Sequence, residues 1–320
     1  MKLGDIYKSA IKKGIEEDLR SAKEITELLA CTKKNYEKLT PSEKDCFDAD
    51  SFFNPYADTR ILHGDQNLPV HTVAVGIDID GSELLLLDRL NSKGAGIDLA
   101  ISHHPAGKAY ASFYEVMDLQ IDAFRKEGVS VSVSENMLFE RKLEIERRVH
   151  AANHQRAVDL TKLLNIPFLC VHTPCDNCAH QFIAHLMARE KPATLGQTLE
   201  MLYEVPEYKD AAKNNNPPKI ASGNKLARVS RVHIEFTGGT EGPQGIYEKL
   251  SLAGVDTIIS MHQSEEHLKK CKEHNINVIF TPHIASDSLG VNVMLDALAK
   301  HGKLKIYELS GFRRFTHKDK

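Results

Sequence analysis

Two adjacent histidines, His103 and His104, close an apolar run of Ile97, Leu99, Ala100 and Ile101, and Pro105 behind them bars further regular structure. That is a strand end, the position at which a layered α/β protein carries its chemistry. Far downstream, Asp176 and the pair His283/Asp287 stand at two similar strand ends. Imidazole and carboxylate are the ligand set of zinc, iron and manganese, and open sites built from them are usually catalytic. Three histidines and two carboxylates exceed what one catalytic ion needs, so the pattern predicts a two-metal site.

Other residues compete for a role. In TPHIASD, His283 and Asp287 are four apart, so on the first turn of a helix they share a face and can chelate one ion. A helix cap would explain Asp287 alone and leave His283 without a purpose. The segment VHTPCDNCAH packs His172, Cys175, Asp176, Cys178 and His180 between a strand and a helix. Cys-x-x-Cys at that place is also the thioredoxin-like arrangement, in which a helix terminus lowers a thiol pKa. In RRVHAANHQR, His150 and His154 are four apart and flanked by Arg147, Arg148 and Arg156, without the acidic residue of the HExxH protease pattern. This is a solvated charged face, or a face that offers Arg147, His150 and His154 to an anionic substrate group. The turn TGGTEGP reads as a tight turn or an anion nest, lacking both GxGxxG and a P-loop lysine. His262 and His267 stand either near the same cleft or on a helix surface.

The elements that must position these groups follow from periodicity. Residues 5–31 carry an amphipathic helical stripe, and Thr40-Pro41-Ser42-Glu43 is a capping-box start for a short second helix. Residues 48–68, rich in Asn, Asp and Pro, read as a long connection. From Val70 a β-α-β unit runs through HTVAVGIDI, SELLLLDRLNSKG and IDLAISHH. A helix over 110–126, a strand VSVSV, a long charged helix over 134–164 and the strand IPFLCVHT follow. The last third repeats βα units and again places ligand candidates at strand ends, without a sequence repeat that defines a duplication.

With 320 residues the chain can form two domains or one large unit. Its 41 basic and 44 acidic side chains are interspersed, for a formal charge of −3, so no field of one sign points to nucleic acid or an anionic membrane. The amino-terminal residues lack a signal-peptide core, and no apolar stretch approaches membrane-spanning length. Six irregularly spaced cysteines argue for reduced thiols, and the expected location is cytoplasmic.

In order, ISHHP, VHTPCD and PHIASD resemble the motifs of the Nif-three-like family of dinuclear-metal-centre proteins, commonly labelled GTP cyclohydrolase 1 type 2-like. The family pattern of His-His-Pro, His-Thr-x-x-Asp and a late Gly-His-x-x-x-Glu falls on His103-His104-Pro105, on His172, Thr173 and Asp176, and on His283 and Asp287. The similarity spans about residues 70–315. Three departures stand out: Asp287 replaces Glu, Pro282 stands where Gly is usual, and a charged helix lengthens the interval between the first two motifs.

The resemblance implies an α/β fold of two intertwined three-layer α/β/α domains with mixed sheets, a metal cleft between them, and a homo-oligomer, commonly a hexamer. The boundaries expected are 1–69 for a helical extension and connection, 70–179 for a first domain and 180–320 for a second, with carboxyl-terminal elements packing back on the first. Two divalent ions (Zn, Fe or Mn) are assigned, one to His103, Asp176 and Asp287 and one to His104, His283 and Asp287. His172 is the expected orienting or acid/base residue. The function expected is a metal-dependent hydrolase acting on an anionic, nucleotide-like or phosphorylated small molecule, with neither membrane nor nucleic acid as partner. The alternatives are a non-catalytic metal-binding oligomer with a regulatory or interaction role, and a thiol oxidoreductase using Cys175 and Cys178.

Overall fold

The runs Thr72–Gly76 and Leu99–Ser102 are buried at every position, which requires strands covered on both faces. In the computed structural model, which describes residues 1–317, they belong to the first of two mixed sheets. The first half of the chain forms α1 (Leu3–Glu16), α2 (Ala22–Glu37), α3 (Pro41–Asp45), β1 (Arg60–His63), β2 (Thr72–Gly76), α4 (Gly81–Asn91) and β3 (Leu99–Ser102). It continues with α5 (Gly107–Ala111), α6 (Leu119–Lys126), α7 (Val131–His150), α8 (Arg156–Leu164), β4 (Phe168–Cys170) and α9 (Thr173–Glu190). The second half forms α10 (Leu195–Tyr203), α11 (Pro206–Lys213), β5 (Lys219–Ser222), β6 (Val232–Glu235) and α12 (Ile246–Leu252). It closes with β7 (Thr257–Ser260), α13 (Glu265–Glu273), β8 (Asn277–Phe280), α14 (His283–Ala299) and β9 (Lys305–Leu309).

Sheet order is β1-β4-β3-β2-β9 in one half and β5-β8-β7-β6 in the other. In each, the first strand runs antiparallel to its neighbour and the rest are parallel. Helices α9 and α14 fill the layer between the sheets. On one side Cys175, Cys178, Val291 and Met294 pack with Val73, Leu99 and Leu169; on the other Ala179, Ile183 and Leu289 pack with Ile234, Ile259 and Ile279. The outer faces are covered by helices α4 and α8 on one sheet and α12 and α13 on the other. The fold is therefore α/β with helices on both faces of two mixed sheets that share a central helical layer.

That central layer is tight. A Cβ on Gly290 of α14 would lie 2.2 Å from the carbonyl oxygen of Cys175 in α9, so only glycine admits this helix crossing.

The halves repeat the same local devices although their sequences do not align. Asp98 accepts the backbone N–H of His71 and Thr72, and Asp256 accepts those of Ser230 and Arg231. Asn165 and Asn275 both take the left-handed conformation before β4 and β8. Ser102 Oγ donates to the carbonyl of His104 at 2.7 Å, and Ser260 Oγ to that of His262 at 2.7 Å.

Several local expectations change. The stripe over 5–31 is two helices, broken at 17–21, where Ser21 opens a capping box with Glu24. VSVSV is not a strand: Val131 and Val133 begin α7, where the run continues into helix-forming residues. The charged helix over 134–164 is interrupted after His150 and resumes as α8. Residues 48–68 contain β1, whose pairing with β4 overrides their turn-like composition. No helix among the described residues is long and apolar enough to cross a membrane.

Candidate metal centre

The His-His pair is held by backbone. His103 N–H donates to the carbonyl of Gly76 at 3.0 Å and His104 N–H to that of Ile77 at 2.9 Å, so the turn after β3 is tied to the end of β2. Pro174 stands in the first turn of α9, where its fixed φ favours the helix start, and Pro282 is the residue immediately before α14. Asp176 and Asp287 then project from the two central helices near their crossing. Asp287 is buried and faces histidines; it caps no helix end.

The side chains of His103, His104, Asp176, His283 and Asp287 converge. His103 Nε2 lies 3.3 Å from Asp176 Oδ1 and 3.6 Å from Asp287 Oδ1, while His104 Nε2 and His283 Nε2 lie 3.4 and 3.5 Å from Asp287 Oδ2. Two donor atoms on one tetrahedral ion, each about 2.1 Å from it, stand about 3.4 Å apart. The spacing here is that of ligands around an ion rather than of hydrogen-bonded neighbours. The ligand atoms of His103, Asp176 and Asp287 form one compact group, those of His104, His283 and Asp287 a second sharing Asp287, and those of His103, His104 and His172 a third.

Outer contacts decide which nitrogen faces inward. His103 Nδ1 meets the carbonyl of Val171 at 3.2 Å, His104 Nδ1 meets Asp78 at 2.7 Å and His172 Nδ1 meets Asp58 at 2.8 Å. With Nδ1–H donated outward, each ring turns its Nε2 lone pair to the centre, as outer partners of metal-bound imidazoles do. In His103 that lone pair confronts two carboxylates, and both His103 Nε2 and Asp287 Oδ2 are buried without a hydrogen-bond partner. A cation resolves this conflict; an apolar core does not. The donor set therefore fits divalent zinc, iron or manganese.

Titration tells the same story. Burial disfavours a charged His103, yet attraction to the carboxylates of Asp287 and Asp176 carries it well above an ordinary imidazole. For His104, burial is likewise outweighed by the nearby Asp287 carboxylate and the bond to Asp78, which raise it to about 9. Burial would raise Asp287, but His103 and His104 hold it far below the usual carboxylate range. His283 is lowered, chiefly by burial. Protons thus occupy the cluster when no metal does.

His172 belongs to the same centre. Its Nε2 is 3.7 Å from Asp176 Oδ2, and Asp58, fully buried, holds its other nitrogen while also accepting from Thr173 Oγ1 at 2.6 Å. Arg147 and His150 are exposed on α7, and His154 Nε2 bonds the carbonyl of Val149 at 2.7 Å; none of the three lines the cavity over the cluster. Cys175 and Cys178 are buried, and burial raises both thiols, the reverse of the lowered pKa that redox use requires. Asp58 and Asp78 are additions from the structure. Asp78 stood at a strand end in GIDID, whereas nothing in the connection marked Asp58.

Fold and site together define a two-sheet α/β protein with a histidine–aspartate centre where its two central helices meet. No family model matches the sequence, nor does any curated protein. Among solved structures, the chain is similar to a NIF3 superfamily protein from Sphaerobacter thermophilus, with 26% identity over 80% of this chain and 91% of that one, at a TM-score of 0.70. It also matches reduced HcgD from Methanocaldococcus jannaschii more distantly, with 14% identity over 91% of this chain and 98% of that one, at a TM-score of 0.48. The first of these likenesses supports a NIF3-like α/β fold and family for the chain.

Proposed function

We propose that the protein is a divalent-metal-dependent hydrolase with a dinuclear centre, acting on a nucleotide-like or phosphorylated small molecule. The observation that carries this reading is the convergence of four imidazoles, three of them turned inward by outer contacts, on the buried carboxylates of Asp176 and Asp287. His103, Asp176 and Asp287 would hold one ion, and His104, His283 and Asp287 the other. Bound cations supply Lewis acidity, which acidifies water and polarises the bond under attack. The protein's own part is positional. Val171, Asp78 and Asp58 fix the rings, and burial keeps bulk water from the carboxylates. His172, oriented by Asp58, takes the proton-transfer role beside the cluster.

The cavity over the cluster measures ≈ 40 Å³, far below the roughly 300 Å³ of a site that engulfs a small molecule. Only the reacting end of a substrate enters it; Arg147, His150 and His154 are left as contacts for distal anionic groups. A cytoplasmic homohexamer completes the reading, supported by the family resemblance and by six free cysteines. Elemental analysis of untreated protein, an anomalous-scattering map and a phosphoester and nucleotide panel test it. Two adjacent peaks with turnover abolished by chelation are expected. Bound metal without turnover would establish the non-catalytic alternative, and turnover indifferent to chelation would end the metal hydrolase reading.

A further inference from the structure

Opposite the cluster, the cleft has a second wall, formed by residues 237–242 and the turn after β7. Three glycines let this loop lie on the segment between β3 and β4. A Cβ on Gly238 would come within 2.5 Å of Gln120 Cγ, on Gly242 within 2.7 Å of Gln120 Oε1, and on Gly239 within 3.2 Å of Phe113 and Val116. The buried Gln120 then donates from Nε2 to the carbonyls of Gly238 and Thr240 at 2.8 and 2.6 Å. From α7, Arg141 Nε donates to the carbonyl of Glu241 at 3.1 Å. The glycines serve docking, and the loop is clamped at three carbonyls.

What the clamped loop delivers is the carboxylate of Glu241. It accepts from the backbone N–H of Ser264, lies 3.4 Å from His267 Nδ1, and faces His262 Nδ1 at 3.7 Å. The His262 ring packs 4.9 Å from that of His283, yet its side chain is 48% exposed at the cleft mouth. With Nδ1 turned to Glu241, Nε2 is the nitrogen left to meet a ligand. The neighbouring Glu235 is already occupied by Tyr247 and Gln263. His262 also occupies the place in its half that His104 occupies in the other, held by the same serine contact.

We propose that His262 is a substrate-contacting residue that holds a phosphoryl oxygen against the cluster, with Glu241 as its positioning residue; the phosphoryl ligand rests on the hydrolase reading above. The probe is inorganic phosphate, titrated calorimetrically into metal-loaded full-length protein, with metal content measured on the same samples. His262→Ala is expected to weaken phosphate binding about 10-fold, the loss of one charge-assisted hydrogen bond, with metal content unchanged. His262→Gln should restore part of the affinity, and Glu241→Gln should weaken it less than His262→Ala. Equal affinity in wild type and His262→Ala, loss of metal from His262→Ala, or no phosphate binding by wild type each overturns the proposal. Phosphate binding that depends on His262 in a protein without turnover would sink the hydrolase reading and spare this one. Turnover with phosphate affinity indifferent to His262 does the reverse.

Discussion

His103 Nε2 and Asp287 Oδ1 face each other at 3.6 Å in the protein interior, while the far nitrogen of the same ring is tied to the carbonyl of Val171. The ring cannot turn away, so this pair must share a proton or a cation. Asp287 contributes an oxygen to two of the three groups of ligand atoms, the two that include a carboxylate, which makes it the residue on which the centre depends. Asp287→Ala should therefore remove both metals, whereas His283→Ala should remove one preferentially. Metal counted per chain after dialysis checks this; two ions retained by Asp287→Ala would falsify the shared-ligand geometry.

Asp58 touches no cluster atom except through His172, so its effect is expected to be smaller and graded. Replacing it with Asn keeps the volume but leaves a weaker acceptor for His172 Nδ1 and Thr173 Oγ1. His172 also forms a compact group of possible ligand atoms with His103 and His104, and the outer partner of an imidazole that ligates through such a group changes metal affinity by about 10–100-fold. Competition with a chromophoric chelator should place Asp58→Asn in that range, below the loss caused by removing a ligand. An unchanged affinity would show that His172 plays no part in holding the ion.

The raised His103 and His104 have a consequence for metal uptake. Around neutral pH the metal-free cluster holds protons, with His104 titrating at about 9, and a metal must displace them. Calorimetry in buffers of different ionisation heats should register proton release on binding, falling as pH rises through 9. The sign for stability follows. A raised folded-state pKa contributes stability present below the unfolded value of 6.5 and lost as pH rises through the folded value. The metal-free protein should lose stability between those limits while the loaded protein gains affinity for its ions. Uptake with no proton release at neutral pH would show the imidazoles to be neutral in the empty site.

Much of the site was legible because strand ends in α/β proteins expose chemistry-bearing residues in short, recognisable strings: ISHHP, VHTPCD and PHIASD. What the string could not show was orientation. Asp58 lies in an irregular segment whose position is set by β1 pairing with β4, a contact between distant residues that no local periodicity records. His262 was visible only as one of two histidines near a helix start. Its placement depends on the loop clamped by Gln120, 118 residues from Gly238. VSVSV misled because alternation alone does not make a strand; tertiary context decides, and here Val131 and Val133 open the long helix α7.

His180 supplies an acid-sensitive term away from the cluster. It is buried, its Nδ1 has no hydrogen-bond partner, and desolvation followed by repulsion from His233 and Lys126 lowers it from 6.5 to about 3. The unfolded chain takes a proton below 6.5 and the native chain does not, so stability is lost as pH falls through that window. Between pH 7 and pH 5 the loss from this residue is about 2 kcal/mol at most. Chelated His180→Leu and wild type, unfolded in urea at both pH values, should show a flatter dependence for the variant. Parallel curves would place the acid sensitivity elsewhere.

Gly290 tests whether the centre depends on the helix crossing beneath it. In a loosely packed helix, alanine at this site would stabilise by up to about 1 kcal/mol through helix propensity. Here its Cβ would meet the Cys175 carbonyl at 2.2 Å, a backbone atom that cannot swing aside, and overpacking of this kind costs about 1–3 kcal/mol. Steric cost outweighs propensity, so Gly290→Ala should be destabilising. Asp176 is the residue after Cys175, and Asp287 lies three residues before Gly290, so parting the helices also moves the two carboxylates. The variant should show a lower urea midpoint in metal-free protein together with weaker metal binding. A raised midpoint with metal affinity intact would mean that α9 and α14 are not held in contact at this point.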